Sequence, residues 1–273
     1  MTKIAFQGER GAFSEDAVRR FFGEAEVLPC PDFDSVFKAV ERGEADHGVV
    51  PVENSLEGTV AAVNDLLLEN DLTIAGEVLV AVVHCLIVNP GTELHDIKRV
   101  LSHPQALGQC RSFLTKYPQW QKVPAYDTAG SVRMIKEAGR KDEAAIASCR
   151  AAEVYGMKVL REGIQNSDEN FTRFFVIQKG GHLKGGDKTS LVFATRNVPG
   201  TLHEAMGCFA ERGINMTRVE SRPRKGRAWE YVFYVDIDGA AEDPRVAAAL
   251  TDLVRKAAFV KILGTYRKAS PLS

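Results

Sequence analysis

Short apolar segments alternate with amphipathic segments over roughly the first two-thirds of the chain. The amphipathic segments have helical spacing; one of them places Val36, Phe37 and Val40 on a single face, and Pro104 suits the first turn of a helix that runs to about residue 117. The apolar segments predict strands at residues 3–7, 26–30, 47–50, 79–88, 99–102, 122–126, 144–148 and 171–177. This order predicts an α/β domain with a largely parallel sheet.

A stretch that combines Gly180, Gly181, Gly185 and Gly186 with charged residues differs in composition from both of its flanks. The residues beyond it predict strand, helix, strand, strand, helix and strand at 189–195, 199–212, 214–221, 229–238, 244–257 and 260–266. That is the βαββαβ order of a ferredoxin-like sandwich. We therefore place a first domain at residues 1–180 and a second domain at residues 187–267.

Composition and charge exclude several classes of function. The chain has 273 residues, 45% of them hydrophobic and 26% charged, and a formal net charge of −1, which is ordinary for a globular protein. The mixed charges predict no nucleic-acid partner, since a basic stripe is missing. The short basic cluster of Arg222, Arg224, Lys225 and Arg227 is interrupted by proline and glycine and indicates a turn between strands.

The cysteine spacing and the first residues indicate the redox state of the thiols and the cellular compartment of the protein. The five cysteines are widely spaced and form no CxxC pair, so we expect reduced, mostly buried thiols and no metal site. The first residues lack the order of a signal peptide, which predicts a cytoplasmic protein. The longest apolar run, residues 78–88, is too short to cross a membrane and contains His84; it predicts a buried strand.

A run of aromatic residues around Thr172 and Arg173 is the first candidate for chemistry. If this run is extended, Asn170, Thr172 and Phe174 share one face, while Arg173 lies on the other. Either Thr172 or Arg173 is then structural, or a bend turns both inward.

Polar loops that follow predicted strands and precede helices are the second candidate, because open α/β sheets bind ligands at that edge. Gly8, Gly11 and Ser14 form a weak first loop, and the polar residues Glu53, Asn54 and Ser55 form a more informative second loop. A third loop and helix start contains Ser102, His103, Pro104 and Gln105, with Gln109 one helical turn beyond. For His103 we favour helix capping over general-base catalysis. Asp127, Thr128 and Ser131 form a weaker fourth cluster that capping explains.

At these positions the chain resembles one family over essentially its whole length: prephenate dehydratases with a carboxyl-terminal ACT regulatory domain, in the form without a chorismate mutase helix. In the first domain the resemblance rests on Gln7-Gly8, Gly11-Ala12-Phe13-Ser14, residues 51–58, Ser102-His103-Pro104-Gln105 and Thr172-Arg173-Phe174. In the second domain it rests on Asn197, Pro199, Gly200 and Leu202, then Gly213-Ile214-Asn215, then Glu220-Ser221-Arg222-Pro223.

The resemblance implies a two-lobed catalytic domain like the type II periplasmic binding proteins, followed by a ferredoxin-like ACT domain. It implies that prephenate, bound between the lobes, becomes phenylpyruvate, water and carbon dioxide without metal or organic cofactor. The catalytic residues that it implies are Thr172, Arg173 and Glu53, and the substrate-binding residues are Gly11, Ser14, Asn54, Ser55, Ser102, Gln109, Asp127 and Phe174.

In that reaction Thr172 meets the departing hydroxyl. A threonine hydroxyl is too weak an acid to deliver a proton at pH 7 unaided, so we expect it to donate a hydrogen bond and to relay a proton from water or Glu53. Glu53 acts as an acid only if burial raises its pKa. Arg173 either clamps a substrate carboxylate or anchors the wall of the cleft.

For regulation, the resemblance implies that L-phenylalanine binds at an interface between the ACT domains of two subunits, in a homodimer or homotetramer. The residues implied are Asn197, Pro199, Gly200, Thr201, Leu202, Asn215, Glu220 and Ser221. Thr201 stands where the family more often has alanine, a departure that bears on effector affinity.

Two other functions remain open on the sequence. An arogenate dehydratase performs the same chemistry on the amino-acid analogue of prephenate, and its motifs differ little. A two-lobed ligand sensor without catalysis is disfavoured by the Thr172 run. A dehydrogenase is disfavoured because the chain has no dinucleotide-binding fingerprint.

Overall fold

A computed structural model describes residues 1–181, 185–223 and 231–270. The elements up to Glu69 are β1 (Lys3–Gln7), α1 (Phe13–Phe22), β2 (Glu26–Cys30), α2 (Phe33–Glu41), β3 (His47–Asn54), β4 (Gly58–Thr59) and α3 (Ala61–Glu69). From there to Leu114 they are β5 (Leu72–Ala81), β6 (Cys85–Val88), a 3₁₀ turn (Leu94–Asp96), β7 (Arg99–Ser102), α4 (Pro104–Gln109) and α5 (Arg111–Leu114).

The middle of the chain continues with β8 (Gln121–Pro124), α6 (Thr128–Ala138), β9 (Glu143–Ala147), α7 (Cys149–Tyr155), β10 (Lys158–Glu162) and β11 (Phe171–Lys179). The last third contains β12 (Lys188–Ala194), α8 (Thr201–Ala210), β13 (Met216–Pro223), β14 (Tyr231–Asp238), α9 (Pro244–Lys256) and β15 (Phe259–Tyr266). The helix predicted from residue 104 to about 117 is divided at Cys110 into α4 and α5.

The described chain forms two compact units, here called unit 1 and unit 2. Unit 1 comprises Met1–Val60 and Val78–Phe174, and unit 2 comprises Ala61–Glu77 and Phe175–Ser270. Strands β5 and β11 each begin in one unit and end in the other. These units are groups of residues in contact and do not test the predicted domain ranges, 1–180 and 187–267, which stay predictions.

Unit 1 contains two open sheets. The first has the strand order β2-β1-β3-β11-β5, with β4 added to β3, and unit 1 includes the first four residues of β11 and the last four of β5. The second has the order β10-β6-β9-β7-β8. In the first sheet β1 is parallel to β2 and β3, whereas β4 is antiparallel to β3. In the second sheet β7 is parallel to β8 and β9, whereas β6 is antiparallel to β9 and β10. Both sheets therefore contain parallel and antiparallel pairs, and the predicted α/β class is confirmed.

The strand predicted at residues 79–88 is wrong as a single element. Strand β5 ends at Ala81, β6 begins at Cys85, and the two strands belong to different sheets. The backbone hydrogen bonds explain the break: the N–H of Val82 donates to the carbonyl of Asn170, and the N–H of His84 donates to the Gln165 side chain. Residues 82–84 thus cross from one sheet to the other.

The expectation of five reduced thiols is also wrong in this structure. Cys85 at the start of β6 and Cys149 at the start of α7 form a disulfide, with Cα atoms 5.8 Å apart. Cys30, Cys110 and Cys208 are free and buried. The sequence offered no signal for the pair, because the two cysteines are 64 residues apart and come close only in the folded chain.

Unit 2 is built on an antiparallel sheet of order β13-β14-β12-β15. Helices α8 and α9 cover it with a core that includes Phe193, Phe209 and Leu253. Every residue of β12 is buried. Helix α3 and the first part of β5 also belong to this unit. The hydroxyl of Tyr234 on β14 donates to the carbonyl of Asn64 on α3 at 3.0 Å. The βαββαβ order predicted for the second domain is confirmed.

Some predictions lie partly outside the described residues. Residues 229 and 230 of the predicted strand 229–238 and Arg224, Lys225 and Arg227 of the basic cluster are among these. Arg222 is described; it lies on β13, and its Nε is 3.6 Å from a carboxylate oxygen of Asp65. Among the helices in the described ranges, none has the length and apolar character that crossing a membrane requires.

Replacing Cys149 with serine in oxidised protein is expected to lower the free energy of unfolding by about 2 to 4 kcal/mol, because the crosslink reduces the conformational entropy of the unfolded chain. Denaturant titration of the parent and the Cys149→Ser variant measures the difference. In excess reductant the two proteins are expected to unfold at similar denaturant concentrations. An equal loss under both conditions would mean that the Cys149 side chain stabilises by packing and not by its bond.

Candidate active site

The start of β11 has two chemically different faces. On one face Asn170 and Thr172 contact Asn54: its Nδ2 is 2.8 Å from Oδ1 of Asn170 and 3.0 Å from Oγ1 of Thr172. On the other face Nη2 of the buried Arg173 is 3.3 Å from Oε2 of Glu53. Side chains therefore alternate on both β3 and β11, as extended backbone requires. Thr172 and Arg173 have different partners.

The orientation of the Asn54 carboxamide is fixed by the backbone. Its Oδ1 accepts hydrogen bonds from the N–H groups of Leu56 and Glu57, each at 3.0 Å. Because a backbone N–H only donates, the atom facing it is the amide oxygen, and Nδ2 faces Thr172. The oxygen of Thr172 is thus an acceptor for Asn54, which leaves the hydroxyl hydrogen free to donate elsewhere.

A second carboxamide, Gln109 at the end of α4, continues the network. Its Oε1 is 2.9 Å from Nε2 of His84 and 3.2 Å from Nδ2 of Asn170. Its Nε2 donates to Oε1 of Glu57 at 3.3 Å. Side chains from β3, α4, β11 and the crossing segment 82–84 therefore meet in one hydrogen-bonded group.

Two neighbouring cavities of unit 1 surround this group. A cavity of about 120 Å³ is lined by Phe13, Asn54, Val82, His84, His103, Gln105, Ala106, Gln109, Thr128 and Thr172. A larger one of about 650 Å³ is lined by Leu56, Glu57, His103, Pro104, Gln105, Gly108, Gln109, Gln165, Asn166, Ser167 and Asn170. His103, Gln105 and Gln109 line both cavities. The smaller cavity presents hydroxyl, amide and imidazole groups, which suits the binding of an anion without an opposing carboxylate among its described lining.

Three ionisable side chains near the small cavity, His84, His103 and Asp127, each make a hydrogen bond within the protein. Burial lowers the pKa of His84 below its ordinary value, although the hydrogen bond with Gln109 opposes the shift. His103 caps α4, its Nδ1 accepting from the N–H of Gln105 at 3.3 Å, as the capping interpretation predicted. Burial raises the pKa of Asp127, whose Oδ1 accepts from the N–H of Gly130 at 2.8 Å as the N-cap of α6.

Of the predicted binding residues, Asn54, Gln109 and Thr172 come together, and several others have their polar atoms engaged elsewhere. The hydroxyl of Ser55 donates to the carbonyl of Glu169 at 2.7 Å and accepts from the N–H of Phe171. The hydroxyl of the fully buried Ser102 donates to the carbonyl of Ile146 at 2.6 Å. Phe174 and Ser14 are buried, and neither lines the two cavities. The substrate-binding roles of these residues stay predictions.

Gly11 has a close-packing environment. A Cβ atom at this position would lie 2.6 Å from Cα of Ala151, and the backbone φ is +85°. The carbonyl of Gly11 accepts from the Ser148 hydroxyl at 2.6 Å, and its N–H donates to Oε2 of Glu15 at 2.7 Å. The glycine is therefore required where the first loop of unit 1 meets α7.

Sequence reasoning missed His84 and Glu57 as members of the site. His84 is the polar residue in an apolar run, a signal that marks a side chain with a buried partner. Asn170 was placed on the Thr172 face but was given no role. Glu57 belongs to the second polar loop, and its partner Gln109 is distant in sequence.

In unit 2, a cavity of about 260 Å³ lies at the amino end of α8. It is lined by Thr195, Arg196, Asn197, Val198, Gly200, Thr201, Leu202, His203, Tyr231 and Phe233. Four of the predicted effector residues are in this set. Asn215 instead donates to Oδ2 of Asp238 at 3.2 Å, and Oε2 of Glu220 accepts from Nη2 of Arg218 at 2.7 Å.

One group of potential metal ligands occurs among the described residues, formed by Cys85, Cys149 and Glu162. The two sulfur atoms are bonded to each other there, so the group offers no pair of thiolates.

Comparison with known proteins identifies the parts of the chain. The family model described as prephenate dehydratase matches residues 4–182, and the model of the ACT domain matches residues 189–255. The chain is 41% identical to arogenate dehydratase 2 of Petunia hybrida, covering 99% of this chain and 73% of that protein. It is 43% identical to the bifunctional chorismate mutase/prephenate dehydratase of Aquifex aeolicus, covering 98% of this chain and 74% of that protein.

Two solved structures are similar to this chain over 97% and 98% of its length. A prephenate dehydratase from Arthrobacter aurescens, solved in complex with L-Phe, is 37% identical with a TM-score of 0.89, and the match covers 97% of this chain and 90% of that one. A protein described as GqqA, a novel type of quorum quenching acylase, is 38% identical with a TM-score of 0.91, and the match covers 98% of both chains.

The packing around Gly11 predicts a large cost for adding a methyl group. We expect Gly11→Ala to lower the free energy of unfolding by about 2 to 5 kcal/mol, because backbone strain and overlap with Ala151 add up. Gly43→Ala is the matched control: its φ is +71°, but no atom lies within 4 Å of the new Cβ, so we expect about 1 to 2 kcal/mol. Denaturant unfolding measures both variants, and equal losses would contradict the close-packing role of Gly11.

Proposed function

Because the chain belongs to the prephenate dehydratase family, we propose that it converts prephenate to phenylpyruvate at the Thr172 cavity, as a step of L-phenylalanine biosynthesis. The family's members are dehydratases, so the enzyme is a carbon–oxygen lyase. The observation that most supports this site is the hydrogen bond from Nδ2 of Asn54 to Oγ1 of Thr172 at 3.0 Å. It fills an acceptor position of the hydroxyl oxygen and directs the hydroxyl hydrogen away from Asn54, toward a ligand.

The chemistry needs little beyond such a donor. The prephenate dianion and one proton give the phenylpyruvate anion, carbon dioxide and water: the bond to the carboxylate carbon breaks, its electron pair completes the aromatic ring, and the ring hydroxyl departs. Thr172 donates a hydrogen bond to the departing oxygen, where negative charge develops. The proton itself comes from water, since the predicted alternative source, Glu53, is paired with Arg173.

The neutral side chains suit a dianionic substrate. Thr172 offers a hydroxyl donor, and Gln109 has one amide hydrogen beyond the one that it gives to Glu57. The described lining of the small cavity contains no carboxylate. A buried carboxylate beside the substrate would repel it and would take up a proton instead. The salt bridge between Arg173 and Glu53 supports the wall of the cleft in this proposal; a direct catalytic role of either residue stays a prediction.

Arogenate is the alternative substrate, because several relatives at similar identity are named arogenate dehydratases. The two compounds share the ring hydroxyl and the ring carboxylate and differ in a keto group against an amino group. Side-by-side assays of product formation with prephenate and arogenate decide between them. We expect prephenate to be the better substrate, and a higher kcat/KM for arogenate would reverse the assignment.

Amide hydrolysis is a less favoured function. A threonine nucleophile needs a base within hydrogen-bond reach, whereas the partner of the Thr172 hydroxyl among the described residues is the amide of Asn54. Acylase activity of the purified protein that survives loss of the Thr172 hydroxyl would point to a different site.

Thr172→Val tests the catalytic hydroxyl. We expect kcat for the better substrate to fall about 10² to 10³-fold, the usual effect of removing one aligned donor in a transition state, while substrate affinity changes little. Steady-state assays give the rate and calorimetry gives the affinity. Thr115→Val, an exposed threonine whose hydroxyl bonds only to the local carbonyl of Ser112 in the described chain, is the control. Equal activity of Thr172→Val and the parent would rule out the proposed role.

We propose that L-phenylalanine binds to unit 2, at the cavity beside α8, and inhibits the enzyme. The ACT domain and the L-Phe complex of the Arthrobacter protein support this assignment. Asn197, Pro199, Gly200, Thr201 and Leu202 surround the amino end of α8, where N–H groups attract a carboxylate. Asn215, Glu220 and Ser221 are the further predicted contacts, at an interface between the ACT domains of two subunits in a dimer or tetramer.

Phenylalanine is expected to lower the activity by about 5- to 150-fold, which corresponds to the usual coupling of about 1 to 3 kcal/mol. Leu202→Glu places a carboxylate in the cavity and is expected to weaken this inhibition, measured as the ratio of rates without and with phenylalanine. Leu202→Met keeps an apolar side chain and is expected to retain it. A monomer in gel filtration with and without phenylalanine would contradict the interfacial site.

A further inference from the structure

The side chains around Thr172 form a closed ring of hydrogen bonds. The N–H of Glu57 donates to Oδ1 of Asn54 at 3.0 Å, and Nδ2 of Asn54 donates to Oδ1 of Asn170 at 2.8 Å. Nδ2 of Asn170 donates to Oε1 of Gln109 at 3.2 Å, and Nε2 of Gln109 donates to Oε1 of Glu57 at 3.3 Å. Each side-chain amide donates from its nitrogen and accepts at its oxygen, so the hydrogen bonds all run in the same sense around the ring.

The backbone at Asn54 sets this sense, and it determines which terminal atom of each amide is oxygen and which is nitrogen. The N–H groups of Leu56 and Glu57 can only donate, so they assign the oxygen of Asn54. The assignment passes to Asn170 and then to Gln109, whose Oε1 must be the atom that faces Asn170. Nε2 of His84 lies 2.9 Å from the same Oε1. An oxygen with no hydrogen cannot donate, so His84 is the donor, and its Nε2 bears the hydrogen.

The position of His84 is fixed from several directions. Its side chain and backbone together are 2% exposed, its N–H donates to Oε1 of Gln165 at 3.0 Å, and its carbonyl accepts from Ile164. The ring of Phe13 meets the imidazole edge-on, with centroids 5.5 Å apart. Nδ1 of His84 is buried and has no hydrogen-bond partner among the described residues. With its backbone groups bonded and its imidazole packed against Phe13, the ring is held with Nε2 facing Gln109.

The bond from His84 is the shortest that the Gln109 side chain makes. Gln109 is the last residue of the short helix α4, and its long side chain has conformational freedom to lose. Its bonds to Asn170 and Glu57 are 3.2 and 3.3 Å, near the long end of the ordinary range, whereas the bond to His84 is 2.9 Å. Without His84, the weaker bonds alone would have to hold the carboxamide.

We propose that His84 is a positioning residue for the reaction: its Nε2–H fixes the Gln109 carboxamide, and through Asn170 and Asn54 this keeps the Thr172 hydroxyl aimed at the departing oxygen. The catalytic part of this inference rests on the proposed dehydratase function, whereas the direction of the hydrogen bonds does not. Burial lowers the pKa of His84, so the neutral Nε2–H form is expected at neutral pH.

A pair of substitutions tests the donor. His84→Leu removes it and is expected to lower kcat about 10- to 100-fold, the effect of a small misplacement of a catalytic group, with a smaller change in KM. His84→Gln retains an N–H near the position of Nε2 and is expected to recover most of the loss. Equal losses of kcat in both variants at similar melting temperatures would overturn the role as donor, and so would parental kcat in His84→Leu.

His47→Leu is the matched control for burying leucine in place of histidine. His47 is partly buried, whereas His84 is fully buried, and the Nδ1 of His47 likewise has no hydrogen-bond partner in the described part of unit 1. His47 packs against Phe22 and lines neither cavity of the site. We expect this variant to lose stability without the fall in kcat. A fall in kcat equal to that of His84→Leu would mean that the His84 effect reports stability alone.

A measurement that needs no turnover separates this inference from the proposed function. Long-range ¹H–¹⁵N spectra of ¹⁵N-labelled parent protein distinguish the two neutral forms of histidine, with His84→Gln used to assign the signal. We expect hydrogen on Nε2 and none on Nδ1 at pH 7. A signal from the Nδ1–H form or from imidazolium at pH 7 would overturn the inference, even for a protein that acts on neither prephenate nor arogenate.

Discussion

The Asn54 carboxamide is the interaction on which the site depends. Its oxygen is held by two backbone N–H groups of the loop that follows β3, and its nitrogen reaches Asn170 and Thr172 at the start of β11. Every polar atom of this buried side chain is thus bonded. Because an unsatisfied buried amide costs about 1 to 3 kcal/mol, the loop, the strand and the Thr172 hydroxyl are held in one arrangement.

Local patterns predicted much of this. The two-residue period of a strand placed Asn170 and Thr172 on one face and Arg173 on the other, and the structure confirms the alternation by giving the faces different partners. Strands at residues 3–7, 26–30 and 99–102 have the predicted bounds, because each is a short apolar run closed by a turn residue. The polar segments after predicted strands pointed to Asn54 and Gln109, but the loop predicted at residues 51–59 is wrong in part: β3 continues through Asn54 and pairs with β4.

Long-range pairing explains the rest. The crossing at residues 82–84 was hidden in a continuous apolar run, because its break arises from hydrogen bonds to Asn170 and Gln165, which are distant in sequence. Strand β10 is largely exposed and has no apolar alternation, so only its pairing with β6 makes it a strand. Helix α3 is mostly apolar and only weakly amphipathic, and nothing in its sequence says that it packs in unit 2 with Tyr234.

The polar side chains that line the small cavity are mainly amides and hydroxyls, and no carboxylate is among its described lining residues. Amides and hydroxyls keep one charge state across the physiological pH range, so the hydrogen bonds that Thr172 and Gln109 offer to a dianion do not change with pH. The ionisable side chains in the described lining of the small cavity are those of His84 and His103. The ion pair of Arg173 and Glu53 is on the opposite face of β11, where it stabilises the strand without adding a carboxylate to the cavity. A reaction whose driving force is the formation of an aromatic ring needs orientation and one aimed donor more than it needs a strong acid. A hydrogen-bonded network with a single direction, in which the Glu57 carboxylate accepts from Gln109, supplies both.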